Sequence, residues 1–164
     1  QKQRVLTLFN PESDRLGAGW NIIQSKTAIG SGGWEGLGWT QGSQAQLDFL
    51  PEGHTDFIIA VLAEEFGFRG VLLLFLIYAV ILGRGLVITW RAQSSFARML
   101  GGALVATFFF GLVVNLGMVS GLLPVVGVPL PMVSYGGTAM VSMMIAFGML
   151  TAISTERRIT RTMR

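Results

Sequence analysis

Three long apolar stretches dominate the chain, and its charges fall in groups between them. Apolar character begins at Thr55–Asp56 and runs through Phe57–Ala63, is interrupted by Glu64, Glu65 and Arg69, and resumes from Gly70 to Gly83. Those 14 uncharged residues reach only about 21 Å at helical rise, short of a hydrocarbon core of ~30 Å. The span must borrow from its flanks, so the pattern predicts a helix over about 66–90, with Arg84 snorkelling and a kink at Gly67. Between Arg98 and Glu156 lie 57 residues without a charge. One spanning helix uses about 20 residues, so this stretch holds two, at about 99–120 and 138–154. The remainder is 121–137, where Pro124, Pro129 and Pro131 stand among four glycines. Non-helical backbone as apolar as Leu122–Val133 is tolerated at membrane depth only where protein buries it or it lines a cavity. A re-entrant loop is therefore expected there.

The first 66 residues are different in kind. Asn10-Pro11 and Gly17-Ala-Gly19 are turn chemistry. Asn21–Ile29 has a short helical pattern that Gly30 is expected to end. From Gly30 to Gly42, six of thirteen residues are glycine, interleaved with Trp34 and Trp39. This spacing reads first as a flexible connection, and more weakly as a run of amides able to cradle phosphate. Trp20, Trp34 and Trp39 also suit the headgroup level of a bilayer. Gly117 and Gly121 form a GxxxG, a weak helix-packing signal.

Composition agrees with a membrane protein: 51% of the 164 residues are hydrophobic and 13% charged, where a soluble domain carries about 25%. There is no cysteine and one histidine, which excludes disulfides and a zinc-type cluster. The chain starts at Gln1 without a signal-peptide pattern, as a piece of a longer protein or a processed one would. The basic groups Arg84/Arg91/Arg98 and Arg157/Arg158/Arg161/Arg164 flank apolar runs, which fits membrane topology rather than nucleic acid. Excess Lys/Arg marks the cytoplasmic side. Residues 1–66 then lie outside, with the 121–137 loop, and the tail 155–164 lies inside. The expected architecture is an all-α polytopic membrane protein, with an extracytoplasmic segment 1–66 containing short helices and a membrane region 67–164.

Candidate chemistry concentrates in Leu50-Pro-Glu-Gly-His-Thr-Asp-Phe57, which holds two carboxylates and the only histidine beside a membrane span. Charge at such a place marks a functional site by default. Asp56, at a helix start, reads equally as an N-cap or as a general base. His54 fits an orienting hydrogen-bond partner better than an independent base. Glu52 and Asp56, four residues apart, also suit a glycosidase-like pair or a divalent-ion site, neither specifically. Glu64 and Glu65 would face inward or sit at the interface, with interfacial solvation the bland reading. Lys26 is one of four cations in the first 66 residues and suits an anionic phosphate, although a solvated surface lysine is the commoner case.

Several blocks carry a family resemblance. Gly30-Ser-Gly-Gly33, Gln41–Leu47, Phe49–Phe57 and Ala63-Glu-Glu-Phe-Gly67 resemble the SEDS family of cell-wall polymerases, its rod-shape members more than its division members. Asn115, Gly121-Leu-Leu-Pro124, Gly127-Val128 and Ser134–Ala139 resemble that family's carboxyl-terminal signature. Gly53 and Ile59 depart from the common pattern without touching the proposed chemistry. The resemblance covers essentially the whole chain. It implies the last part of a ten-span bacterial inner-membrane protein, with seven spans preceding.

It also implies an enzyme polymerising lipid II into β-1,4 glycan, in elongation and shape maintenance, beside a class B penicillin-binding protein. The catalytic aspartate would be Asp56; Lys26, Gln44, Glu52, His54 and Thr55 would bind the lipid-linked substrates. It implies no certain cofactor, with a divalent cation as an option at the diphosphate. A lipid II flippase and a non-catalytic scaffold for the penicillin-binding protein are the alternatives. The isolated chain is expected to be inactive, because its spans are built to pack against others.

Overall fold

A computed structural model describes residues 18–42 and 55–162. Four helices organise them: α1 (Ala18–Gly32), α2 (Ile58–Trp90), α3 (Ser95–Val119) and α4 (Gly137–Thr162). Three segments are long and apolar enough to cross a membrane: Ile58–Trp90, Ser95–Val119 and Gly137–Thr155. The expected all-α membrane architecture is therefore observed, with altered element ends.

α1 runs through Gly30, which was expected to stop it. One glycine inside a helix costs about 1 kcal/mol relative to alanine, and packing offsets it. Ile22, Ser25 and Ala28 are all buried against the spans. The helix ends instead at Gly33, whose φ of 53° is the left-handed conformation typical of a helix stop. Ser25 Oγ donates to Val119 O at 3.0 Å, seating α1 on the end of α3, with Ile22 O at 2.9 Å as the alternative acceptor for the same hydrogen.

α2 is 33 residues long and breaks its geometry at Gly67, with φ 66° and ψ −165°. In a regular helix the carbonyls of Glu64 and Glu65 would accept from Phe68 and Arg69. Here all four groups are taken by the glycine-rich segment after α1. Leu37 N donates to Glu64 O at 2.9 Å and Gly38 N to Glu65 O at 3.0 Å; Phe68 N donates to Gly33 O at 3.0 Å and Arg69 N to Trp34 O at 3.4 Å. A Cβ on Gly36 would collide with Glu65 O, and one on Gly67 with Gly36 N. Trp34 stacks on Phe68 at 5.2 Å, and Trp39 meets Phe66 edge-on at 5.4 Å. The segment read as a flexible connection is thus a splint across the kink. Buried backbone groups need partners, and the glycines let one chain approach the other closely enough to supply them.

α3 starts earlier than the pattern suggested, because Ser94 caps it: its Oγ accepts from Ala97 N at 3.0 Å. α4 extends to Thr162, so most of the segment expected to be a tail is helical backbone. An aromatic chain Tyr78–Phe108–Phe147, with centroids 5.5 and 5.4 Å apart, ties α2, α3 and α4 together. Gly85 and Gly101 allow α2 and α3 to come close, with Val105 and Thr89 filling the space a Cβ would take. Ala92, Ala97 and Ile153 form a separate small core at the α2–α3 junction. That contact brings the carboxyl-terminal half of α4 to the same end of the bundle as Arg91 and Arg98.

The chain from Ser120 to Gly136 folds back into the bundle. Pro131 is buried, and its ring lies 3.1 Å from where a Gly111 Cβ would be. Gly111 is about 12 Å below Val119 at helical rise. Tyr78 OH donates to Pro131 O at 2.6 Å, Leu130 N to Ser134 Oγ at 2.8 Å, and Val126 N contacts Met118 Sδ at 3.0 Å. Leu130 is 1% exposed. Around Leu130–Pro131 this is the satisfied, protein-buried backbone that a re-entrant loop requires. Gly117 of the GxxxG accommodates Leu123 of this loop, and Gly121 accommodates Lys26 and Ile22 of α1; among the described residues neither meets a second spanning helix.

Candidate functional site

Asp56 lies in the turn Thr55–Phe57 that leads into α2. The N-cap of that helix is Phe57, with φ −109° and ψ 20°, and no side chain caps it. The capping reading of Asp56 therefore fails, and its carboxylate is not committed to the helix start. Phe57 is fully buried in the main core and fixes the turn. Asp56 itself is 9% exposed. Its Oδ2 faces Gly127, where a Cβ would stand 3.2 Å away. Its backbone carbonyl accepts from Asn115 Nδ2 at 2.9 Å, and the same nitrogen donates to Val128 O at 2.7 Å.

Lys26 comes from α1 and meets the same loop at its other end. Its Cε and Nζ lie 2.7 and 2.8 Å from the position a Gly121 Cβ would occupy. Gly121 and Gly127 both have positive φ, 70° and 83°, the conformation that glycine adopts without strain. Two candidate residues far apart in sequence are thus seated against two glycines of one re-entrant loop. A cation at one end of Gly121–Gly127 and a carboxylate at the other can hold an anionic leaving group and accept a proton, respectively.

Thr55 is half-buried beside Asp56. Gln44, Glu52 and His54 lie outside the described residues. No group of three or more His, Cys, Asp or Glu side chains able to hold a metal ion occurs among the described residues.

Three residues acquire roles that the pattern did not give them. Glu64 takes the inward-facing alternative: it is fully buried, with Oε2 2.7 Å from the position of a Gly42 Cβ. Glu65 Oε1 accepts from Thr40 N at 3.1 Å, so both carboxylates lie against residues 40–42. Thr40 has φ 61°, a strained value for a β-branched residue. Asn115 is fully buried and bonded to two separate segments. Its sequence signal was an amide alone with small hydroxyls in a long uncharged run.

Comparison with known proteins gives a consistent result. The model of the FtsW/RodA/SpoVE family, described as cell cycle protein, matches residues 1–159. Peptidoglycan glycosyltransferase MrdB of Escherichia coli strain K12 is 58% identical over 158 residues, covering 96% of this chain and 43% of that protein. Peptidoglycan glycosyltransferase RodA of Treponema pallidum is 40% identical over 157 residues, covering 96% of this chain and 36% of that protein. This chain therefore spans less than half the length of these relatives. Among solved structures, a chain of a peptidoglycan synthase complex that coordinates polymerization and crosslinking aligns with TM-score 0.77 and 29% identity, over 96% of this chain and 42% of its own. An aspartate-to-alanine mutant of Thermus thermophilus rod shape determining protein RodA aligns with TM-score 0.61 and 32% identity, over 65% of this chain and 36% of its own.

Proposed function

The chain belongs to the FtsW/RodA/SpoVE family, and from that premise we propose that it is the carboxyl-terminal part of a peptidoglycan glycosyltransferase with Asp56 as its general base. The observation that carries this reading is the seating of Asp56. It is a nearly buried carboxylate, free of capping duty, lying against the re-entrant loop that also meets Lys26. The names of the relatives supply the reaction class.

The reaction takes an acceptor lipid II and a glycan carried on undecaprenyl pyrophosphate. Asp56 accepts the proton of the acceptor GlcNAc 4-hydroxyl. That oxygen bonds to the anomeric carbon as the carbon–oxygen bond to the diphosphate breaks, giving an inverted β-1,4 link. The diphosphate leaves with the electron pair, so one base suffices. Lys26 supplies positive charge to the diphosphate; Gln44, Glu52, His54 and Thr55 bind the sugars and phosphates. The lipid carriers explain a site at the mouth of a bundle of spanning helices. The full protein would work in the bacterial cytoplasmic membrane during elongation, with residues 1–66 outside. Its partner would be a class B penicillin-binding protein, as the similarity to a chain of a peptidoglycan synthase complex supports.

Purified full-length protein with its partner, given lipid II in detergent, should make glycan polymer. No leaflets exist there, so a flippase or a scaffold would make none. Asp56→Asn keeps the shape and removes the base, and should lower the rate by about 10²–10⁴-fold at normal protein yield. Near wild-type polymerisation by that variant would sink the assignment.

A further inference from the structure

We propose that Asn115 is a positioning residue for the Asp56 base, an inference that rests on the function proposed above. Its side chain is fully buried in α3, about a turn before the helix end. Nδ2 donates to the carbonyls of Asp56, at 2.9 Å, and Val128, at 2.7 Å. Two carbonyl acceptors fix which end of the amide is nitrogen, since only the NH₂ can serve both. Val128 follows Gly127, the residue facing the Asp56 carboxylate. One amide therefore sets the distance between the backbone that carries the base and the backbone that walls it.

The arrangement is specific to an amide. A hydroxyl has one hydrogen and cannot serve two carbonyls, and an aliphatic side chain would leave both without a donor. Asn115 Oδ1 is buried with no hydrogen-bond partner among the described residues. Nothing else in those contacts competes with the two carbonyls for the side chain's orientation. Small displacements of a catalytic group are expensive: about 1 Å can cost on the order of 10²-fold in rate. The effect should fall on turnover rather than on binding, because Asn115 itself does not reach the substrates.

The test uses the full-length protein with its partner and measures kcat and KM for lipid II together with the thermal midpoint. Asn115→Ala should lower kcat by about 10²-fold and leave KM within about twofold. Asn115→Asp keeps the shape. It carries at most one hydrogen and can serve only one of the two carbonyls, so its kcat should stay well below wild type at an unchanged KM. Tyr78→Phe serves as the structural comparison, because it releases the same loop at Pro131 without touching Asp56; its kcat should stay within about threefold.

If Asn115→Ala and Tyr78→Phe lose kcat in equal proportion to their fall in thermal midpoint, Asn115 is a structural crosslink and the proposal is overturned. If Asn115→Ala turns over normally while Asp56→Asn is inactive, the positioning role falls and the base assignment stands. If Asp56→Asn is active, both fall. Should Asn115→Ala not accumulate, Asn115→Asp decides: a wild-type kcat, or a loss of kcat in the same proportion to its thermal midpoint as in Tyr78→Phe, overturns the proposal.

Discussion

Gly67→Ala is the sharpest test of how the α1–α2 connection is built. At φ 66° and ψ −165° this residue occupies a region that is essentially glycine-only. The added Cβ would collide with Gly36 N and stand 2.8 Å from the carbonyl carbons of Glu35 and Trp34. Two responses are open to the chain. If the kink is kept, the backbone conformation costs about 1–3 kcal/mol, and the contacts with residues 34–36 add to it. If α2 straightens, the splint leaves. Four backbone–backbone hydrogen bonds between the segments are then lost and two helical ones regained. The net loss of two, at about 0.5–1.5 kcal/mol each, comes with the Trp34–Phe68 and Trp39–Phe66 pairs at about 0.5–1.5 kcal/mol each.

Either route costs on the order of 3 kcal/mol. The assay is thermal unfolding of the full-length protein in detergent, followed by limited proteolysis across residues 33–42. Gly83→Ala is the control: it lies on the same helix with nothing within 4 Å of the new Cβ, and should be neutral. Gly67→Ala should unfold several degrees lower and become cleavable in the splint. Equal midpoints and equal protection for the two variants would refute the account of the kink.

Two further outcomes follow from the geometry. Gly127→Ala puts a methyl 3.2 Å from Asp56 Oδ2 at a residue with φ 83°; polymerisation should fall at least about tenfold, as expected for a displaced base, and wild-type rates would show that the loop does not wall the carboxylate. In an otherwise cysteine-free protein, Ser43→Cys should react with an impermeant thiol reagent added outside intact cells and Ser95→Cys should not. The reverse pattern would overturn the sidedness inferred from the basic clusters.

The spans were legible because hydrophobic length and charge grouping are set by the bilayer, not by tertiary detail. Their ends were less so. Ser94 caps α3 with one hydroxyl outside the apolar stretch, and α1 passes Gly30 because buried Ile22 and Ala28 outweigh one glycine's propensity. Asp56 was legible as a candidate but ambiguous between cap and base, since both uses put a carboxylate before a helix. The backbone removes the first reading by placing the N-cap at Phe57. The glycines from Gly30 to Gly42 were misread for a physical reason. Glycine enrichment signals freedom when the chain is alone and close approach when a second segment lies against it. Pattern along one segment does not contain the other, and the broken bonds at Glu64–Arg69 that the splint repairs lie in α2.

Contacts with a second segment also hold Lys26 at a definite place. α1 has only 15 residues, a length marginal for an isolated helix in water. Its position is determined by attachments to the spans: Ser25 on Val119 near its middle, and the splint from Gly33 to Gly38 at its end. The first attachment fixes Lys26 relative to α3 and the loop that leaves it; the second fixes α1 relative to the kink in α2, upstream of which Asp56 lies. Loosening either should move the cation relative to the carboxylate while leaving the three spans packed. The site is therefore most vulnerable at glycines and small hydroxyls that carry no chemistry of their own.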